Sequence, residues 1–189
     1  KAILRPKPLD EIRDPQDRFD SVDKTYRYLL LVSEARDPLL RDRAWHLGQR
    51  MLGRGDRALD VAAMRAAARH LVGTHDFRAF RAADDERKET VRTLDRLDVV
   101  EGFGGDARLV AVEARGPAFM KNMVRILVGT LVDVGRRARS PDSVAALLGP
   151  SGDRRDAGPT APPGGLTLVE VRLGRPDAGA AEDRAVGRL

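Results

Sequence analysis

The stretch "TYRYLLLV", residues 25 to 32, alternates as a strand does, with Tyr26, Tyr28, Leu30 and Val32 on one face and Leu29 and Leu31 on the other. Both faces carry apolar groups, so both are expected to be covered. Downstream, "RDPLLRDRAWHLGQRMLGRGDRA" (residues 36 to 58) is polar, contains glycine, keeps no period and predicts a long loop. A period of 3.6 follows: Val61, Met64, Ala68 and Leu71 share one stripe and Arg65 and Arg69 another. With Asp60 as N-cap and Gly73 as the stop, this predicts a helix over 61–72. "TVRTLDRLDVV" and "ARLVAVEA" read as two strands joined by a hairpin through the glycines of "EGFGGD". The most apolar stretch, "AFMKNMVRILVGTLVDVG", predicts a helix over 118–134. Ser140 then caps a short helix with Pro141 at its first position and Asp142 in its first turn. "DRRDAGPTAPPGG" reads as a loop and "LTLVEVRL" as a last strand. Residues 1–18, rich in proline and charge, are expected to be extended or looped, and the small residues of 174–189 to form a mobile tail. That leaves residues 19–173 as the domain: an α+β fold, with an antiparallel sheet of about four strands and its helices packed on one face.

Composition narrows the classes. At 189 residues the chain can close a real core, and its 42% apolar and 33% charged residues are globular values, with no apolar run long enough to span a bilayer. The absence of cysteine removes disulfides, thiolate metal sites and a cysteine nucleophile, and suits a reducing compartment. Cytoplasm is therefore the expected location, and "KAILRPKPLDEIRDPQ" lacks the apolar centre of an export signal. A net charge of +5 favours a polyanionic partner, although 29 acidic residues dilute that inference. Only five of the 34 basic residues are lysines (Lys1, Lys7, Lys24, Lys88 and Lys121), and arginine's planar fork suits phosphate and bases. An arginine-rich and alanine-rich coding bias accounts for the excess equally well.

Candidate chemistry centres on the apolar helix. Met123, Val124, Ile126, Leu127, Val128, Leu131 and Val132 cover most of its circumference, while Lys121, Arg125 and Gly129 recur every four residues on the remaining stripe. Cations at the positively polarised end of a helix imply an anion, a carboxylate or a phosphate. An ion pair with one of the chain's own acidic residues, or a side chain reaching to solvent, is the plainer reading. Gly129 hints at a close approach by another backbone or a ligand. Tyr26 and Tyr28 suit base stacking, or a core position with satisfied hydroxyls. "HDFRAFRAA" mixes Phe77 and Phe80 with Arg78 and Arg81 as RNA-binding loops do, though anchoring of a loop explains the phenylalanines as well. His46, His70 and His75 are not at metal-ligand spacings, so no metal is expected. No nucleophile elbow or phosphate-binding glycine loop is present in the sequence, and "GFGGD" is not followed by a helix pattern.

In order along the chain, "RFDSVDKTYRYLL", "LVGTHDFRAFRA", "VRTLDRLDV", "GPAFMKNMVRILVGTLVDVG" and "DAGPTAPPGGLTLVEV" resemble the bacterial tRNA pseudouridine synthase A (TruA) family, over about residues 18 to 172. The resemblance implies a cofactor-free isomerisation of uridine to pseudouridine in the anticodon arm of tRNA, by a homodimer whose shared basic cleft holds the RNA. It also implies that Tyr26 stacks on the target base and that Arg125 supports a nucleophilic aspartate. Lys121, Arg78 and Arg81 are the residues expected to meet RNA phosphate. The family's catalytic aspartate lies in a "GRTDxGVHA" segment that this sequence does not contain, so the chain reads as the C-terminal half. Further departures are "QDRF" for "HARF", "GPAF" for "GNAF", "GLTLVEV" for "GLYLVEV" and an insertion over Met51 to Arg57. These leave an alternative expectation, a catalytically inactive RNA-binding or dimerisation module.

Overall fold

The structure is a computed structural model and describes residues 21–52 and 59–173; the expected N-terminal segment, the tail and most of the 51–57 insertion lie outside the described residues. Its strands are β1 (Ser21–Val32), β2 (Trp45–Leu47), β3 (Gly73–Asp76), β4 (Val91–Leu94), β5 (Arg96–Glu101), β6 (Leu109–Gly116) and β7 (Leu166–Leu173). The helices are α1 (Gln49–Leu52), α2 (Val61–Leu71) and α3 (Met123–Gly135). The fold is α+β: a five-stranded, mostly antiparallel sheet and a separate two-stranded ribbon of β3 and β4.

β1 is the centre of the sheet. One edge pairs antiparallel with β6, which continues to β5, while the other edge is shared by β7 along the N-terminal half and β2, parallel, at the C-terminal end. The alternation of β1 sorts its side chains as expected: Tyr28 and Leu30 are fully buried in the main core, and Leu31 lies in a smaller cluster on the opposite face. The strand begins four residues earlier than the expected 25, because Ser21 to Lys24 pair with β7, a partner that local periodicity does not reveal.

The main core lies between one face of the sheet and α2 and α3, joining Leu97 and Val99 of β5 and Val110, Val112 and Ala114 of β6 to both helices. The other face carries charge over its small apolar cluster: Glu113 binds Arg27 at 2.7 Å and Arg96 at 3.0 Å, and the Arg27 guanidinium lies 4.4 Å from the centroid of the Phe103 ring. α2 is built as its pattern requires, with the Asp60 carboxylate accepting from Ala63 N at 3.0 Å and Val61, Met64, Ala67, Ala68 and Leu71 buried.

Several expectations are corrected. The expected loop of residues 36–58 holds β2 and α1, because a three-residue strand and a one-turn helix are too short to show a period. The single strand expected over 90–100 is two strands in two sheets, parted at Asp95, whose N–H turns to Arg115 O at 2.9 Å. The main sheet still agrees with the expected antiparallel sheet of about four strands, to which the short β2 adds a fifth, while β4 goes to the ribbon. The expected hairpin between β5 and β6 is present, and Gly102, Gly104 and Gly105 take the positive φ that its tight turn demands.

α3 starts at Met123, not at residue 118: Asn122 is left-handed at φ 59°, which breaks the helix before Lys121 can join it. Lys121 therefore does not share a helical stripe with Arg125. Gly129 explains itself within the chain, since a Cβ there would lie 1.7 Å from Pro159 O. The adjoining Thr130 hydroxyl donates to Ile126 O at 2.9 Å and accepts from Gly158 N at 2.9 Å. The 157–161 loop is thus pressed onto α3, and this contact sets the position of Ala161 beside Arg125.

Candidate active site

A cleft of about 580 Å³ opens between the first turn of α3, the N-terminal half of β1, the start of β7 and the 84–87 loop. Its size suits a nucleoside. Tyr26, Arg125 and Lys121 all line it, so three of the five expected site residues converge on one surface. Arg78 and Arg81 are not among its lining residues.

Arg125 enters from the third position of α3 and is half-buried. Its Nε donates to Ala161 O at 2.6 Å and one Nη to Asn122 Oδ1 at 2.9 Å, while Ala161 N donates back to Arg125 O at 3.1 Å. The guanidinium is thus aimed by both the loop and the turn. Among the described residues no carboxylate pairs with it. A fixed fork with remaining N–H donors in a partly desolvated cleft is a receptor for an anionic oxygen.

The two tyrosines divide. Tyr28 is fully buried and donates from its hydroxyl to Pro162 O at 2.6 Å. Burial pushes its ionisation well above the ordinary tyrosine value, against the opposing pull of the Arg125 charge. It is a core residue. Tyr26 is half-buried at the cleft, where its ring meets Phe119 edge to face, centroids 5.1 Å apart and planes at 82°.

Lys121 does not face the cleft as a lone cation: its Nζ donates to Asp84 at 2.6 Å, both side chains being exposed. That bond holds the Asp84 carboxyl below the usual carboxylate range. Asp84, Asp85 and Glu86 form an acidic margin of the cleft that is not among the expected site residues. Its signal was the "DDE" run after "FRAA", which periodicity does not mark as special. Asp85 is buried, which by itself would raise its pKa, but backbone N–H groups of Arg87 and Lys121 and the charges of Arg87 and Arg81 outweigh burial and lower it. Arg78 is held by Asp76 at 2.7 Å and donates to Pro150 O at 3.0 Å, and Arg81 donates to Arg87 O. The histidines stand apart, each with its own partner: His46 with Ser33 O, His70 with Asp142 and His75 with Val72 O.

Residues 67–173 match the family model described as tRNA pseudouridine synthase. The chain is 49% identical over 170 residues to tRNA pseudouridine synthase A of Myxococcus xanthus, covering 90% of this chain and 59% of that protein. It is 47% identical over 154 residues to the same enzyme of Geotalea uraniireducens (strain Rf4), covering 82% and 58%. With the enzyme of Syntrophotalea carbinolica (strain DSM 2380 / NBRC 103641 / GraBd1) it shares 46% over 154 residues, 82% and 56%. The chain thus spans somewhat more than half the length of these relatives. A matched model that includes β3 through β7 and all of α3, together with relatives this similar across most of the chain, establishes that it belongs to the tRNA pseudouridine synthase family.

Proposed function

We propose that this chain supplies the tyrosine and arginine side of a tRNA pseudouridine synthase site, and that uridine in the anticodon arm of tRNA is isomerised there once an aspartate nucleophile is provided by a further segment. The observation that carries this reading is Arg125: a guanidinium aimed into a cleft by Ala161 O and Asn122 Oδ1, with donors to spare for a carboxylate. Leaving such a cation without an anion is unfavourable, so the site is complementary to one. Asp84 and Asp85, two carboxylates of the cleft margin, are tied to Lys121 and to backbone N–H groups, and neither is bonded to Arg125.

The chemistry is an isomerisation. The N1–C1′ bond of uridine breaks, the base turns, and C5 bonds to C1′ and gives up its proton while N1 gains one, so the reaction is a net isomerisation and no redox partner is needed. Tyr26 stacks on the base and limits where it can go while detached, and Arg125 fixes the aspartate against the sugar carbon. Lys121 contacts RNA phosphate at the margin, exchanging Asp84 for phosphate, and Arg78 and Arg81 contact phosphate outside the cleft lining. The functional species is a cytoplasmic homodimer whose two chains share the RNA.

Assay of an anticodon-arm RNA tests this. The chain alone is expected to leave uridine unchanged, and the chain combined with an aspartate-bearing segment of a relative to yield pseudouridine. Turnover by the chain alone would sink the reading, because it would place the nucleophile here. With the segment present, Tyr26→Phe should retain far more activity than Tyr26→Ala; equal activities would remove the stacking role. The second reading, an inactive RNA-binding module, is favoured by the basic balance of the chain and predicts salt-dependent tRNA binding with no turnover in any combination.

A further inference from the structure

The turn before α3 touches both proposed functional residues: Phe119 braces Tyr26, and Asn122 bonds Arg125. Nothing regular supports residues 119–122, which lie between β6 and α3 with Asn122 in the left-handed region. What holds them is the 82–87 loop. Ala82 N donates to Lys121 O at 3.2 Å, Lys121 N to Asp85 Oδ2 at 3.1 Å, Lys121 Nζ to Asp84 at 2.6 Å and Arg87 Nη1 to Phe119 O at 3.4 Å.

These ties are unequal. The Lys121–Asp84 pair is exposed and therefore weak, and the Arg87 contact is long. The Asp85 side chain, only 5% exposed, also accepts from Arg87 N at 3.2 Å, so its two oxygens join the loop to the turn in a poorly solvated place. A backbone N–H bonded to a carboxylate there is stronger than a neutral bond, and losing it leaves a donor unsatisfied.

We infer that Asp85 is a positioning residue of the base-binding cleft: through the Lys121 N–H it fixes the 119–122 turn, and through that turn it sets the Phe119 ring against Tyr26 and Asn122 against Arg125. The inference rests on the stacking role proposed above for Tyr26. Asp85 touches no reacting atom. It acts on the stacking ring through one hydrogen bond and one aromatic contact.

The test uses Asp85→Asn, which keeps the size of the side chain but turns a donor toward one of the two N–H groups. Amide exchange on the chain itself should rise about tenfold at Lys121 and its neighbours while the amides of α2 and α3 keep their protection, as for a local opening. In parallel, an RNA hairpin carrying 2-aminopurine in its loop reports stacking through fluorescence quenching. Asp85→Asn should weaken the quenched complex about tenfold, and Asp85→Asn with Tyr26→Ala should bind no more weakly than Tyr26→Ala alone, because both remove one interaction. Unchanged exchange at Lys121, or additive losses in the double variant, would overturn the inference. If the wild-type chain does not quench the probe, the stacking role of Tyr26 fails, while exchange still decides whether Asp85 holds the turn.

Discussion

Tyr26 and Tyr28 leave the same face of β1 two residues apart and end in different surroundings, and the difference is set far away in the chain. The hydroxyl of Tyr28 finds its acceptor on Pro162, 134 residues downstream, and Tyr26 meets Phe119. The pairing of the two rings on one face was legible from the alternation of "TYRYLLLV". Which ring belonged to the core was not, because the loop that satisfies Tyr28 carries no periodic signal. Tyr28→Phe should cost about 1 kcal/mol near pH 8 through the lost hydrogen bond. Since the folded-state pKa is raised above the ordinary 10.0, the unfolded chain gives up this proton first. The Tyr28 contribution is therefore complete below that value and declines as pH rises past it. Urea melts at pH 8 and pH 11 should show wild type and Tyr28→Phe converging; parallel curves would refute the buried, protonated phenol. Gly129 makes a sharper case. Its Cβ would overlap Pro159 O, so Gly129→Ala should destabilise by about 3 kcal/mol despite alanine's better helix propensity, measurable in the same melts. A neutral outcome would mean that the 157–161 loop yields easily.

At the level of elements, what could be read from the sequence was what local periodicity and capping determine. α2 declares itself through Asp60 and through its apolar stripe, and the structure returns both, but the helix ends at Leu71 with an extended Val72 as C-cap, and the expected stop Gly73 instead opens β3. The Asp60 carboxyl lies below its ordinary value chiefly because it accepts the Ala63 N–H, with Arg137 helping. Asp60→Ala should therefore cost about 1 kcal/mol at neutral pH. The depressed pKa places that stability above the ordinary carboxylate value, and it is lost as pH falls through the folded one. Thermal melts of the two proteins should then differ at pH 7 and draw together near pH 2. Elements defined by partners distant in sequence were harder. β3 and β4 form a ribbon whose register, Gly73 with Leu94 through Asp76 with Val91, leaves no alternation in "GTHD". The start of α3 was misplaced because "AFMKN" is apolar enough to extend the helix, whereas the bonds to the 82–87 loop pull it into a turn. The same bonds hid the true surroundings of Lys121. The cleft was thus legible in its residue types and not in its wall.

Across the whole molecule, charge and apolar surface point to different kinds of contact. The excess of five positive charges favours RNA, and salt should weaken tRNA binding steeply if phosphates are contacted. The apolar surface lies elsewhere. β7 pairs on one side with β1, and among the described residues no strand pairs with its other side. Leu168, Val169, Val171 and Leu173 are 49%, 43%, 40% and 68% exposed. An unpaired edge carrying exposed apolar side chains is a site of strand-to-strand association. The chain by itself should therefore self-associate through β7 as concentration rises, and Val169→Lys combined with Val171→Lys should keep it monomeric to higher concentration without lowering its melting temperature, since neither side chain supports the core. Sedimentation of both proteins decides between surfaces. A dimer built around the RNA cleft would survive the two lysines, because Tyr26, Lys121 and Arg125 are untouched. Association through the β7 edge would not, because two like charges would then have to be brought against their counterparts on a second chain.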